Sequence, residues 1–281
     1  MAAENAFYTE IVQTLKQHTR ESLPKDKLAR LKVELCRKHK MKKIPTDIEI
    51  MLNISPEDLK QVKPLLLTKP TRSLSGVAPV AVMTKPLACP HGKCTFCPGG
   101  PGSAFGDVPQ SYTGKEPSTM RAIRAEYDAY LIVMNRLEQY IVTGHVPDKV
   151  ELILQGGTFP AFVEAYQTEV VTDCFQALND FSKLFFDNEK QELDLLKFKA
   201  FFELPGDIHN PDRTKRIHQK LLDVKKKHRP SMKEAQKANE TAKIRSVSVT
   251  VETKPDWGRV KQGNIMLDQG CTRVELGIES V

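Results

Sequence analysis

The sequence predicts an α/β fold in which parallel β/α units follow a basic, all-helical N-terminal segment. Three observations carry this. Residues 150–155, 247–252 and 274–279 alternate apolar and polar side chains, and a β-branched run, Val77–Val82, precedes them. Long stretches of helical periodicity separate these runs, and parallel strands need such crossovers to join them. Residues 1–75 hold no strand-like run, and their apolar residues recur at helical intervals. Two domains are therefore expected: a basic helical one over 1–75 and a β/α one over 76–281, the latter with a charged helical insertion at about 180–245.

In the N-terminal segment Phe7, Ile11 and Leu15 share one helix face, as do Leu28, Leu31 and Leu35. Thr46 and Glu49 have the spacing of a capping box, and Ser55-Pro56 that of an N-cap followed by an N1 proline. Between Lys16 and Lys43 there are eleven Lys or Arg against three Asp or Glu. Two readings fit that excess, a solvated helix face and a surface that meets phosphates, and its density favours the second. Few aromatics interleave, so base stacking is not indicated. The whole chain has a formal charge of +7 and a pI near 9.0, which suits a polyanionic partner. Its 40% hydrophobic and 27% charged residues are ordinary for a water-soluble protein. No signal peptide or long apolar span is apparent, so no membrane association is expected and the compartment is expected to be reducing and cytoplasmic.

After Gly76 the Val77–Val82 run reads as the first strand. Residues 118–143 read as one long helix, with Met120, Ile123, Tyr127, Leu131, Met134, Leu137 and Ile141 on its stripe and Gly144 as its stop. Arg121, Arg124 and Arg136 lie off that stripe and read as solvent-facing charge, with a phosphate or cofactor role as the other reading for Arg121 and Arg124. In the three later strands, Val150, Leu152 and Leu154 alternate with Glu151, Ile153 and Gln155. Val247, Val249 and Val251 alternate with Ser248, Thr250 and Glu252, and Val274, Leu276 and Ile278 with Glu275, Gly277 and Glu279. One set faces covering helices, and the polar set suits strands that wall a ligand cavity. The string 234–245 reads as a helix into the third strand, and the basic run Lys225–Arg229 as a solvated loop, with RNA contact as the other reading.

Between the first strand and the long helix lies Cys89-Pro-His-Gly-Lys-Cys94-Thr-Phe-Cys97-Pro-Gly-Gly, with three of the six cysteines within nine residues. Thiolates this close repel unless a metal centre or a disulfide takes up the charge. Three thiolates with no obvious fourth suit an iron–sulfur cluster that leaves one iron open. A closed zinc knuckle of Cys89, His91, Cys94 and Cys97 also fits. Cys36, Cys174 and Cys271 stand singly and read as buried small hydrophobes.

The cysteine string, with its Cys-Thr-Phe-Cys-Pro-Gly-Gly end, resembles the radical S-adenosylmethionine (SAM) motif of the Elongator catalytic subunit family, the tRNA wobble-uridine carboxymethylating acetyltransferases. Matching strings follow in the family's order: Gln110–Pro117, Met120–Ala125, Gly144–Glu151, Gly156–Phe159, Thr250–Trp257 and Gly270–Ser280. The gap between Cys89 and Cys94 is shorter than in some family members. The resemblance implies a partial radical SAM β/α barrel, with the family's remaining barrel and acetyltransferase domain absent from this chain, so that it is expected to be a fragment of a longer protein.

For the site, the resemblance implies that Cys89, Cys94 and Cys97 hold a [4Fe–4S] cluster whose open iron binds SAM. Reductive cleavage of SAM then yields a radical that takes hydrogen from the acetyl methyl of acetyl-coenzyme A, and the resulting carbon adds to C5 of uridine 34. Phe96 sits where the class places an aromatic near adenine, although it fits plain packing equally well. Gly156, Gly157 and Thr158 follow the second strand, where bare backbone suits the amino-acid end of SAM. Glu252 ends the third strand and fits a ribose hydroxyl or ammonium, or else an ion pair with Lys254. Lys149 resembles the family lysine associated with acetyl-coenzyme A; alone it reads as a strand-edge charge. Arg37, Lys38, Lys40, Lys42 and Lys43 are expected to meet tRNA, and Elongator-type subunits are expected partners. Two alternatives stand: a radical SAM enzyme with another substrate, and a non-enzymatic tRNA-binding protein with a structural zinc site.

Overall fold

Capping side chains set two of the helix starts in the N-terminal segment. In the computed structural model, which describes residues 2–68, 74–95, 97–187, 189, 191–207 and 210–278, α1 spans Ala2–Leu15, α2 Lys25–Lys38, α3 Asp47–Asn53 and α4 Pro56–Leu66. The Thr46 hydroxyl accepts from the Glu49 amide at 3.1 Å while the Glu49 carboxylate accepts from the Thr46 amide at 2.8 Å. Ser55 caps α4 ahead of Pro56. Such caps contribute about 0.5–2 kcal/mol each. Phe7, Ile11, Leu15, Leu28, Leu35, Ile50 and Val62 close a core of their own between these helices.

Among the described residues the sheet has four strands, β1 Ala78–Met83, β2 Lys149–Gln155, β3 Arg245–Thr253 and β4 Arg273–Leu276, all parallel and in chain order. The predicted alternation holds best in β2, where Val150, Leu152 and Leu154 are buried and Glu151, Ile153 and Gln155 are half-buried. On the half-buried face the Thr250 hydroxyl donates to Glu151 at 2.8 Å, and Arg273 pairs with Glu151 at 2.9 Å and Glu275 at 2.7 Å. The alternation fails at the far edge. Val274, Leu276 and Ile278 are exposed, because β4 pairs only with β3 among the described residues, and Val247 is exposed where the β2–β3 register shifts by one residue.

The expected helix over 118–143 is two helices, α5 Pro117–Arg124 and α6 Ala129–Val142. Glu126 and Tyr127 break it with positive φ of 52° and 59°, and the Asp128 carboxylate then caps α6 at the Leu131 amide, 3.0 Å away. The apolar stripe ran through the break unaltered, which is why periodicity alone joined the two. Met120 and Ile123 are consequently exposed, whereas α6 is buried almost all round. Arg136, expected in solvent, is 9% exposed and lies over the Tyr140 ring at 4.4 Å.

Among the described residues four α-helices join β2 to β3: α7 Glu164–Phe185, α8 Leu195–Phe201, α9 Pro211–Lys227 and α10 Met232–Asn239. The helix before β3 thus ends at Asn239, short of the expected 245. Phe181, Phe185, Phe198 and Phe202 pack ring to ring between α7 and α8 with centroids 4.7–6.4 Å apart. A last helix, α11 Val260–Asp268, leads to β4. Cys36, Cys174 and Cys271 are all buried.

The basic run 225–229 is not a solvated loop. Lys225 closes α9, is 7% exposed, and donates to both Asp128 and Asp173 at 2.7 Å. Arg229 adds a bond to Asp173 at 3.1 Å. One buried ammonium thus ties α6, α7 and α9, and one of its carboxylates, Asp128, is the cap of α6. Removing one member of a buried ion pair strands the other charge. The Asp173→Ala variant should therefore lose about 3–5 kcal/mol of stability, read as a fall in the urea midpoint at constant slope. A loss no larger than that of an exposed ion pair would show that the network contributes little.

Candidate metal centre

Parallel pairing puts the C-terminal ends of all four strands on one edge, where β/α proteins gather their chemistry. Beyond that edge lies a cavity of about 370 Å³. The loop after β1 supplies Cys89, His91, Cys94 and Cys97 to its wall, and later Gln110, Ser111 and Tyr112. The turn after β2 supplies Gly157 and Thr158, the end of β3 supplies Glu252, Thr253 and Lys254, and β4 supplies Glu275 and Leu276.

Two glycines make this convergence sterically allowed. A Cβ on Gly99 would stand 1.7 Å from the Tyr112 carbonyl oxygen, so only glycine lets segment 110–112 lie against the cysteine loop. Gly156 has a φ of +126°, and a Cβ there would meet the Thr84 hydroxyl at 2.2 Å. That hydroxyl donates to the Gln155 carbonyl at 3.0 Å and locks the end of β1 to the end of β2. The Gln110 side-chain oxygen accepts from the Cys89 amide and so anchors the start of the cysteine loop.

Each thiol has a different donor. Thr158 Oγ1 lies 3.4 Å from Cys89 Sγ, the Ser111 amide donates to Cys97 Sγ at 3.0 Å, and Lys254 Nζ lies 3.6 Å from Cys94 Sγ. His91 Nε2 is 3.5 Å from the same Cys94 sulfur. Burial pushes the Cys89 thiol up, with Cys97 and Cys94 adding to the rise and Thr158 and Lys254 opposing it. The three sulfurs are thus close enough to repel as thiolates, and their surroundings supply hydrogen bonds and a positive charge to that form. Such a donor set fits a thiolate-bound metal centre. Among the described residues, however, no three His, Cys, Asp or Glu side chains are gathered tightly enough to hold an ion as they stand.

Glu252 does not pair with Lys254. It accepts from the Tyr112 hydroxyl at 2.8 Å and the Gln155 amide at 2.7 Å, which aim the carboxylate at the cavity. Burial, then Glu252 itself, raises the Tyr112 phenol far above its ordinary range, so it remains a donor. Phe96 lies outside the described residues. Lys149 is exposed at the N-terminal end of β2, about 20 Å of strand from the cavity edge by the usual rise per residue. The basic cluster is remote in kind: Arg37, Lys40 and Lys42 are exposed without ion pairs among the described residues, while Lys38 pairs with Glu10 at 2.6 Å and Lys43 with Glu49. Sequence reasoning did not single out Gln110, Ser111, Tyr112, Gln155 or Lys254 for the site. Their signal was adjacency to cysteine, glycine or strand-end motifs, which does not say which side chains turn inward.

Residues 5–74 match the family model described as the ELP3 N-terminal domain. A tRNA uridine(34) acetyltransferase of Methanocaldococcus infernus is 39% identical over 273 residues, 96% of this chain and 42% of that protein. Elongator complex protein 3 of Homo sapiens is 34% identical over 90% of this chain and 39% of its own length. The chain thus spans about two fifths of the length of these curated relatives. A solved structure of the archaeal Methanocaldococcus infernus Elp3 with an N-terminal deletion is 30% identical and covers 73% of this chain and 29% of that one, with a TM-score of 0.42.

The glycine geometry sets an expectation for stability. Gly156→Ala should cost at least about 1–3 kcal/mol, from the strained φ and the Thr84 clash. Gly263→Ala, on α11 with nothing near its added methyl, should instead stabilise by about 0.5–1 kcal/mol. Thermal melts of the two variants check this; equal shifts would refute it.

Proposed function

The chain belongs to the Elongator catalytic subunit family through the N-terminal part of that family's sequence, and from this we propose that it serves the C5 carboxymethylation of the tRNA wobble uridine, position 34. The observation that carries the proposal is the meeting of Cys89, Cys94 and Cys97 in one cavity with Gly157, Thr158 and Glu252. The names of the archaeal relatives, tRNA uridine(34) acetyltransferase, support the substrate. In this reading the strands form part of a radical SAM barrel, the three thiolates hold a [4Fe–4S] cluster with one iron open, and SAM lies against Gly156, Gly157, Thr158 and Glu252.

Cluster and SAM, when bound, supply one-electron chemistry that makes a carbon radical from the acetyl group of acetyl-coenzyme A. The chain's own residues bind and orient. Thr158, Ser111 and Lys254 place a hydroxyl, an amide and an ammonium beside the three sulfurs. Glu252, held by Tyr112 and Gln155, offers a fixed carboxylate to a ribose hydroxyl or an ammonium. A role for Lys149 with acetyl-coenzyme A belongs to a surface apart from the cavity, and no residue is assigned to acetyl-coenzyme A hydrolysis. Elongator-type subunits are the proposed partners, and a reducing, cytoplasmic setting suits free thiols. A second reading rests on His91, whose contact with Cys94 would complete a Cys3His zinc set.

Metal analysis separates the two. After anaerobic reconstitution the chain should carry about four irons and as many sulfides, lost in the Cys89→Ala, Cys94→Ala, Cys97→Ala triple variant. Tightly bound zinc without sulfide, lost on His91→Ala, would establish the knuckle instead.

The RNA half of the proposal has its own measurement. Lys38 and Lys43 already have carboxylate partners, so Arg37, Lys40 and Lys42 are the cations to neutralise. Their triple glutamine variant should lower the salt slope of tRNA binding by about 2–3 units, at somewhat under one per phosphate contact. An unchanged slope would assign the cluster to solubility.

A further inference from the structure

A second cavity, of about 410 Å³, opens between α5, α6 and α9 on the helix layer, with none of the cysteine-site residues in its wall. Four arginines line it, Arg121, Arg124, Arg136 and Arg213, against a single carboxylate, Glu138. That carboxylate is committed. Arg213 donates to it at 2.7 Å with side-chain exposures of 8% and 12%, and Arg213 Nε holds the Phe202 carbonyl at 3.0 Å. Arg136 is fixed over Tyr140 and bonds its hydroxyl at 3.2 Å. Arg124 is exposed and makes no hydrogen bond or ion pair among the described residues. The remaining wall is mixed: Asn135, Gln139 and His218 are among its polar groups, and Met120, 49% exposed at the mouth, with Val142 and Ile217 inside, forms its apolar part.

Arginine forks suit phosphate, and the apolar part of the wall suits a flat ring. We propose that this cavity binds one nucleotide unit, its phosphate at Arg124 and Arg121 and its base against Met120, Val142 and Ile217. The inference goes beyond the cysteine-site reading and does not depend on it. The nucleotide has two sources, a single-stranded RNA segment or a soluble nucleotide, and the experiment distinguishes them.

The test uses the whole chain, with ADP followed by calorimetry and a labelled uridine octaribonucleotide followed by anisotropy. Arg124→Glu and Met120→Glu change exposed side chains and should leave the thermal midpoint in place. Each should weaken the bound probe by about tenfold or more, as expected for loss of a charge-assisted contact or insertion of a like charge. Lys183→Glu, an equal charge change on α7, should not. Binding should persist in the triple cysteine variant, which keeps its failure separate from that of the metal centre. ADP binding that the oligonucleotide leaves intact identifies the soluble source; oligonucleotide binding without ADP binding identifies RNA. Failure of both probes to bind, or equal weakening by Lys183→Glu, would overturn the proposal.

Discussion

Everything at the candidate site depends on one constraint, the in-order parallel pairing of β1 to β4. Met83 pairs with Gln155, and Thr253 with Leu276, so the strand ends lie side by side. Each loop that follows a strand therefore starts within reach of its neighbours. Residues far apart in the chain, Cys89, Gly157, Glu252 and Glu275, become walls of one cavity. An antiparallel neighbour would have sent its loop to the opposite edge. Register matters as much as direction, because a slip of one residue would turn Glu252 from the cavity face to the helix face.

Within that frame the cavity's chemistry is built from contrast. A loop rich in cysteine and glycine brings three anion-forming groups into a half-buried space, where thiolates would repel. The opposing donors come from three other places: a hydroxyl after β2, an amide in segment 110–112 and an ammonium after β3. The glycines are steric requirements of this arrangement. Gly99 lets the segment that carries Ser111 and Tyr112 approach, and Gly156 lets the turn that carries Thr158 lie against Thr84.

Positive charge is divided into parts with different physical standing. Lys225 is spent on the fold, buried between Asp128 and Asp173 where it joins three helices. Arg213 likewise fixes Glu138 and a backbone carbonyl. Arg37, Lys40, Lys42 and Arg124 remain exposed without ion pairs among the described residues, and these are the cations that a polyanion would meet. A count of basic residues along the chain does not distinguish the groups, since Lys225 stands in the densest basic run of its region.

The caps at Thr46 and Ser55, the alternation in β2, the burial of the lone cysteines and the grouping of three thiols after the first strand were all legible in sequence. Each rests on local rules of spacing and residue type, which the chain carries with it. The break at Glu126 and Tyr127 was not legible, because the apolar period continues through it and a buried lysine from α9 holds the cap that restarts the helix. Nor was the exposure of Val274 and Leu276, since alternation says which residues share a face and not whether anything covers that face. The orientation of Glu252 toward Tyr112 and Gln155, and of Lys254 toward Cys94, came only from the packed structure. By itself the sequence determined most element types and the grouping of the three cysteines, because these follow from neighbours in the chain. The tertiary structure decided which donor meets which sulfur and which cations stay free, because those depend on groups brought together across the parallel sheet and the helix layer.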